Sequence, residues 1–338
     1  MTDTAVDLLE GCDPLGRDIP LPHALDAAVL GVPVRFESNS NFVIDVANES
    51  FGGPRAFAAD KLIRKPLSVR VVVQPGGSTT DGEISPVRAW SPEKTWVILQ
   101  GPDIVAVADA LRGQSVAYVS RGLVGQRAQF RQGVLETLTF IIVSHHDRQP
   151  VHAASVGRGK AAVLLCAGSG TGKSTLAYAA HMAGLTVFSD EVTWVQLRPR
   201  VAVRGDLARR IYLEPEAREH FPWLALADAT VLPSGKYKIP VDLGDPIGGQ
   251  SLIADHVGVC LLERANGPTA LTRVSAEEVV TALTGRLEPG FDRYRERLRA
   301  CAFALAIGGG WRLAVSNEPS SAIPSLVSML DGLGGARS

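Results

Sequence analysis

A glycine-rich turn between an apolar run and a helical run constrains this chain more than any other feature. Residues 162–180 read AVLLCAGSGTGKSTLAYAA. The apolar run predicts a buried strand, the glycines predict a tight turn, and the residues from Lys173 onward predict a helix. The helix is expected to end near Gly184, because glycine is common just past a helix end. A strand, a turn and a helix in this order are typical of an α/β fold.

The turn has the composition of a phosphate-binding loop. Its glycines allow several backbone N–H groups to face one anion, and the N-terminus of the following helix adds a partial positive charge. Lys173 can reach the terminal phosphates of a nucleotide, and the Ser174 hydroxyl can ligate the accompanying magnesium ion. Ala167 stands where the usual pattern has its first glycine, and its short side chain leaves the loop room to form. The predicted nucleotide-binding residues are Gly168, Ser169, Gly170, Thr171, Gly172, Lys173, Ser174 and Thr175.

The composition is that of a globular protein with balanced charge. Of the 338 residues, 46% are hydrophobic and 20% are charged, and the formal net charge is −1. This balance argues against a nucleic-acid surface and against a membrane patch. The four cysteines, among them Cys12, are scattered without zinc spacing, and the N-terminal residues lack an export signal. We therefore expect a cytoplasmic protein that binds neither nucleic acid nor membrane.

The chain is long enough for two domains. We expect an N-terminal α+β domain at residues 1–149, serving acceptor recognition or assembly, a P-loop catalytic domain at residues 150–330, and a tail at residues 331–338. Apolar patterning in the first domain predicts both strands and helices. The expected strands lie at residues 32–38, 41–47, 68–74, 95–101 and 115–120, and the expected helices at residues 102–113 and 130–146.

Two adjacent acids end the apolar strand that follows the predicted helix. Asp190 and Glu191 close the segment LTVFSDE, seventeen and eighteen residues after Lys173. A strand in this position normally lies beside the loop strand, so its carboxyl end opens onto the same edge of the sheet as the phosphates. One carboxylate can then take the proton from an attacking hydroxyl while the other helps to hold magnesium.

Three interpretations of the acidic pair compete. In motor and transporter ATPases an apolar strand ending in Asp-Glu comes much later in the chain. The segment IGGQS at residues 247–251 has some likeness to a transporter signature loop, but the apolar run GVCLLER after it ends in Glu263-Arg264. The second interpretation is a strand end with two solvated acids. The third, which we favour, is a kinase whose base lies one strand after the loop.

Residues 152–191 together resemble the C-terminal catalytic domain of the HPr kinase/phosphorylase family. The shared pattern is a histidine opening a strand hairpin (HAASV), the phosphate loop, its helix, a glycine turn, and a strand ending in two acids. The resemblance extends more weakly to about residue 330. It implies a mixed-sheet P-loop kinase domain with a fold akin to phosphoenolpyruvate carboxykinase.

The resemblance also implies roles for individual residues. Lys173 and Ser174 would bind the phosphates and magnesium of Mg-ATP. Asp190 would align with the carboxylate that deprotonates an acceptor serine, Glu191 with its acidic neighbour near the metal, and His152 with a histidine near the phosphates. The segment associated with phosphorylase activity is not found after Glu191. The implied acceptor is a serine-type hydroxyl of a peptide or protein, and more distant relatives of this fold add a biosynthetic precursor peptide as one such acceptor. Because namesake members form hexamers, a homo-oligomer is also an expectation.

Other functions remain open from the sequence. A small-molecule kinase acting on free serine, or of the shikimate or gluconate sort, would also place an aspartate one strand after its loop. A nucleotide-sensing regulator would bind ATP without transferring phosphate. Lys236 and Lys238, in the segment SGKYKIPV, are candidates for a second phosphate contact, although a solvated loop would have the same composition.

Overall fold

The computed structural model divides the chain into two compact units, residues 1–146 and 147–338. The N-terminal segment with Cys12 and the IGGQS segment lie outside the described residues. Among the helices that are described, none is both long enough and apolar enough to cross a bilayer. The described residues are 19–52, 65–75, 96–101, 103–205, 210–231, 235–244, 253–285 and 295–335.

The first unit contains a six-stranded mixed sheet. Its strands are β1 (His23–Val29), β2 (Val32–Ser38), β3 (Leu67–Gln74), β4 (Trp96–Gly101), β5 (Ile104–Asp109) and β6 (Gln114–Ser120). Their order in the sheet is β1-β2-β3-β6-β5-β4. The central strands β2, β3 and β6 are parallel, and the other neighbours are antiparallel.

The first unit also contains five helical segments among its described residues. They are α1 (Asn41–Phe51), α2 (Arg121–Gly125), α3 (Arg127–Phe130), a π-helical stretch (Arg131–Glu136) and α4 (Thr137–Ser144). The predicted strand at residues 41–47 is wrong, because this segment forms α1. Its buried residues Val43, Val46, Ala47 and Phe51 recur at helical spacing.

The predicted helix at residues 102–113 is also wrong. Residues 104–109 form β5, in which the buried residues Ile104, Ala106 and Ala108 alternate with more exposed ones. This period of two places one face of the strand in the core. The high helix propensity of its alanines is outweighed by strand pairing on both sides, to β4 and β6.

The described residues of the second unit form three sheets. Their strands are β7 (Gln149–His152), β8 (Ala154–Arg158), β9 (Ala161–Cys166), β10 (Thr186–Ser189), β11 (Val192–Gln196), β12 (Ala202–Arg204), β13 (Arg210–Leu213), β14 (Thr230–Val231), β15 (Tyr237–Asp242), β16 (Ile253–Ala254), β17 (His256–Arg264), β18 (Ala270–Val274) and β19 (Gly310–Val315). The first sheet has the strand order β10-β8-β9-β17-β19-β18, the second β16-β12-β11-β7, and the third β13-β15-β14.

Helices cover both faces of the six-stranded sheet. One face packs against α5 (Lys173–Met182) and α8 (Ile323–Gly335), and the other against α6 (Ala276–Gly285) and α7 (Arg295–Ala306). All six residues of β9 are buried, as expected for a central strand of a sheet covered on both faces. The last helix continues to Gly335 and so includes part of the expected tail. Both units thus give the chain a mixed α/β fold.

The position of β10 differs from the expectation. It lies beside β8 rather than β9, because the hairpin of β8 and β9 places β8 between them. Both pairings with β8 are antiparallel, so β10 runs in the same direction as β9. Ser189 pairs with Ser155, which in turn pairs with Leu164. The carboxyl ends of β9 and β10 therefore lie at the same edge of the sheet, and so do those of β17 and β19, which are parallel to β9.

Candidate active site

The loop between β9 and α5 is shaped by its own hydrogen bonds. The Lys173 Nζ donates to the carbonyl oxygens of Ala167 at 2.9 Å and Gly168 at 3.2 Å. The Thr171 Oγ1 donates to the Gly168 carbonyl at 2.9 Å. These bonds hold the buried ammonium group inside the curve of the loop. Ala167 supplies a carbonyl here, so the departure from glycine is compatible with the loop conformation.

Two glycines of this loop adopt backbone conformations that other residues rarely take. The φ angle is 78° at Gly170 and 102° at Gly172. Gly172 directly precedes α5, whose first N–H groups have no partner within the helix. The turn and the helix N-terminus therefore present backbone donors and a partial positive charge on the side where Lys173 lies.

Asp190 lies at a corner where the chain leaves one sheet and enters another. Ser189 ends β10 in the six-stranded sheet, and Val192 begins β11 in the four-stranded sheet. The buried Ser189 Oγ donates to the Val192 carbonyl across the corner at 2.6 Å. The backbone N–H of Tyr212, in the three-stranded sheet, donates to the Asp190 Oδ2 at 3.0 Å. Asp190 therefore lies where the three described sheets of this unit meet: two of them hold the backbone on either side of it, and the third supplies a hydrogen bond to its carboxylate.

The surroundings of Asp190 raise the pKa of its carboxyl group. Desolvation by burial raises the pKa of this carboxyl from 3.8 to about 6, and repulsion by Glu191 contributes in the same direction. The Tyr212 hydrogen bond and the positive charge of Lys238 oppose the rise. A carboxyl group with such a pKa is ionised near neutral pH and is still basic enough to accept a proton from a hydroxyl group.

The loop and the acidic pair open into one cleft of about 680 Å³. Glu191 is exposed at its rim, and half-buried His152 reaches it from the end of β7. Gly168 does not line the cleft but shapes the loop through its carbonyl oxygen. The predicted residues that line the cleft are His152, Ser169, Gly170, Thr171, Gly172, Lys173, Ser174, Thr175, Asp190 and Glu191.

Two further cations contact the tip of the loop. The Lys236 Nζ lies 3.4 Å from the Ser169 Oγ, and the Arg264 Nη2 donates to the Gly170 carbonyl at 3.1 Å. Both side chains line the cleft. With Lys173 they surround the space above the loop with positive charge, which is suited to a polyphosphate.

Lys238 has a different environment from Lys236. Its Nζ forms an ion pair with the Glu214 Oε1 at 2.7 Å, and its side chain is 15% exposed. Its positive charge also acts on Asp190. Lys238 therefore pairs with Glu214 and acts electrostatically on Asp190, whereas Lys236 contacts the loop at Ser169.

Sequence reasoning did not find Arg264, Glu214 or the Tyr212 backbone. Arg264 ends a strand parallel to β9, and the apolar run GVCLL at residues 258–262 just before it is a signal that could have placed Arg264 at this edge. Glu214 and Tyr212 belong to a short strand region, RIYLE, whose pattern carries no sign of the cleft.

The donor set of the cleft fits a hard divalent cation held jointly with phosphates. Among the described residues, no three His, Cys, Asp or Glu side chains form a metal-binding group by themselves. The Ser174 hydroxyl and the Asp190 and Glu191 carboxylates line the same cleft and are oxygen ligands, which magnesium prefers. Magnesium is usually bound through one or two carboxylates together with substrate phosphates, so this set suffices.

Comparisons with known proteins assign no family. No protein-family model matches the chain, and no curated protein matches it.

Proposed function

We propose that this protein is a Mg-ATP-dependent kinase that transfers the γ-phosphate to a serine-type hydroxyl of a peptide or protein. One observation carries the proposal: a phosphate-type loop and an aspartate with a pKa of about 6 line the same cleft at one edge of the sheet. A loop alone would support nucleotide binding only. The basic carboxylate beside it adds a group for activating an acceptor.

The proposed reaction is an in-line displacement. Asp190 takes the proton of the acceptor hydroxyl as the acceptor oxygen forms its bond to the γ-phosphorus. The bond between that phosphorus and the β,γ-bridging oxygen breaks, and its electron pair leaves with the nucleoside diphosphate. Lys173, Lys236 and Arg264 offset the negative charge on the transferred group and on the leaving phosphate.

A magnesium ion, when bound, would neutralise phosphate charge and orient the reacting oxygens. Ser174 and Glu191 are the residues expected to hold it, and Glu214 is a further carboxylate in the cleft. His152 also lines the cleft, where a histidine can contact phosphate oxygens or exchange a proton.

The nature of the acceptor rests on the resemblance to HPr kinase/phosphorylase over residues 152–191. The first unit would serve acceptor recognition or assembly. Free serine or another small hydroxyl compound, and a regulatory role in which ATP binds without transfer, are the outcomes against which the test is designed.

The test is to incubate the full chain with magnesium and ATP and with three acceptor pools: free serine, serine-containing peptides, and proteins from a cell extract. Mass spectrometry then detects an added phosphate. Asp190→Asn is the matched variant, because its side-chain oxygen can still accept the Tyr212 N–H. Asp228→Asn, an exposed position of the same unit, controls for a general effect of losing a carboxylate.

The outcomes separate the functions. A product made by the wild type and Asp228→Asn but not by Asp190→Asn supports the kinase and its base. Unchanged transfer by Asp190→Asn would remove that role from Asp190. Tight ATP binding with no phosphorylated product from any pool would favour a regulator, and phosphorylation confined to free serine would favour a small-molecule kinase.

A further inference from the structure

The cleft has two flanks, one on each side of the phosphate-type loop. In the six-stranded sheet, β8 and β10 lie on one side of β9, and β17 and β19 lie on the other. Asp190 follows β10, whereas the segment with Asn317 follows β19. Both residues line the cleft. The flank of Asp190 and the flank of Asn317 are thus separated by the loop itself.

In-line transfer requires the acceptor on one flank and the nucleoside on the other. The attacking oxygen and the leaving diphosphate stand on opposite sides of the γ-phosphorus. If the acceptor is activated at Asp190, the nucleoside must extend away from that residue, toward the ends of β17 and β19. This step rests on the proposed function, and it leads to a subsite that the loop motif does not define.

We propose that Leu262, Val315, Asn317 and Pro319 form the subsite for the base and ribose of the nucleoside triphosphate. Leu262, Val315 and Pro319 line the cleft near the carboxyl ends of the parallel strands β17 and β19, and they are buried or half-buried, so they form a fixed apolar wall. A base can pack against such a wall. The exposed Asn317 amide carries both a donor and acceptor for the edge of a base or for a ribose hydroxyl.

The segment that carries Asn317 is held in place on both sides. The Ser316 Oγ accepts the Glu318 N–H at 3.2 Å and lies 2.9 Å from the Ser321 Oγ. Pro319 begins a 3₁₀ turn, Pro319–Ala322, which packs against α5. The subsite is therefore packed against α5, the helix that directly follows the phosphate-type loop, and this contact fixes the distance between the subsite and the loop.

The opposite flank is chemically less suited to a nucleoside. Its lining includes the carboxylates of Glu191, Glu214 and Glu216 beside Asp190, together with Tyr212 and His220. Carboxylates favour a metal ion, a hydroxyl donor or a cation over the face of an apolar base. The carboxylate-rich flank thus suits the metal ion and the acceptor hydroxyl, and the apolar flank suits the nucleoside, as the proposed reaction requires.

The test compares two ligands that share a triphosphate group. Binding of Mg-ATP and of inorganic tripolyphosphate to the full chain is measured by calorimetry. Asn317→Ala should weaken ATP binding about fivefold through the loss of a hydrogen bond and leave tripolyphosphate binding unchanged. Ser320→Ala, on the same segment, should change neither, and Lys173→Met should weaken both. Equal loss of both ligands in Asn317→Ala, or no loss of ATP, would overturn the role of Asn317.

Photolabelling with 8-azido-ATP locates the base directly. Label on the peptide with residues 315–319 supports the subsite, and label on residues 212–220 refutes it. Label at 315–319 without any phosphoryl transfer would refute the kinase and leave the subsite standing. Phosphoryl transfer accompanied by label on the Asp190 flank would refute the subsite and leave the kinase standing. Absence of ATP binding would refute both.

Discussion

Replacing Asp190 by Asn should stabilise the fold in a pH-dependent manner. The pKa of this carboxyl is about 6 in the folded chain against an ordinary 3.8. Between these values the folded state binds more protons than the unfolded state, so the wild type loses stability as the pH rises through this interval. The difference corresponds to at most about 3 kcal/mol at neutral pH, an upper value because part of the carboxyl faces the open cleft. Asn carries no charge and avoids this cost while it still accepts the Tyr212 N–H.

The variant's advantage in the free energy of unfolding should grow by at most about 1.4 kcal/mol from about pH 5 to about pH 8, mostly below about pH 7. Urea unfolding of the full chain measures it, because Trp194, Trp223 and Trp311 report on the second unit. Asp228→Asn, at an exposed position, should show no such growth. A difference between Asp190→Asn and wild type that stays constant over this pH range would refute the desolvation of Asp190.

Three further results are expected of the kinase assay and of nucleotide binding. The kcat/KM for phosphoryl transfer should rise with pH around an inflection near pH 6, as Asp190 ionises in the free protein; a kcat/KM independent of pH between about 5 and 7 would contradict its proposed role as base. Arg264→Ala should lower turnover about a hundredfold, because its guanidinium lies at the tip of the loop; turnover within about twofold of the wild type would remove it from the site. Lys236→Gln should weaken calorimetric ATP binding about fivefold and reduce its dependence on salt, and unchanged binding would mean that its contact to Ser169 serves the loop alone.

The sequence predicted the elements in which local signals agree. The helix at Lys173–Met182 has the expected bounds, because glycines mark the turn before it and the stop after it. The strand break at Asp190-Glu191 is also as expected, with β10 ending at Ser189 and β11 beginning at Val192. In both places backbone conformation is decided by residues within a few positions.

Other features depend on contacts that are distant in the chain. The insertion of β8 between β9 and β10 follows from a hairpin pairing, and nothing in the segment LTVFSDE indicates which neighbour it takes. The Tyr212 bond to Asp190 uses a backbone N–H, so no side-chain pattern could reveal it. The error at α1 was avoidable, since the spacing of its apolar residues already fits a helix.

The meeting of three sheets at Asp190 has a consequence for how the proposed activity would be lost. The peptide before this residue belongs to one sheet, the peptide after it to a second, and its hydrogen-bond donor to a third. A small shift of any of these sheets therefore displaces the carboxylate, whereas the loop that follows β9 depends on the six-stranded sheet and on α5. In mild denaturant, phosphoryl transfer should disappear while nucleotide is still bound, and the chain would pass through a state that holds ATP without using it.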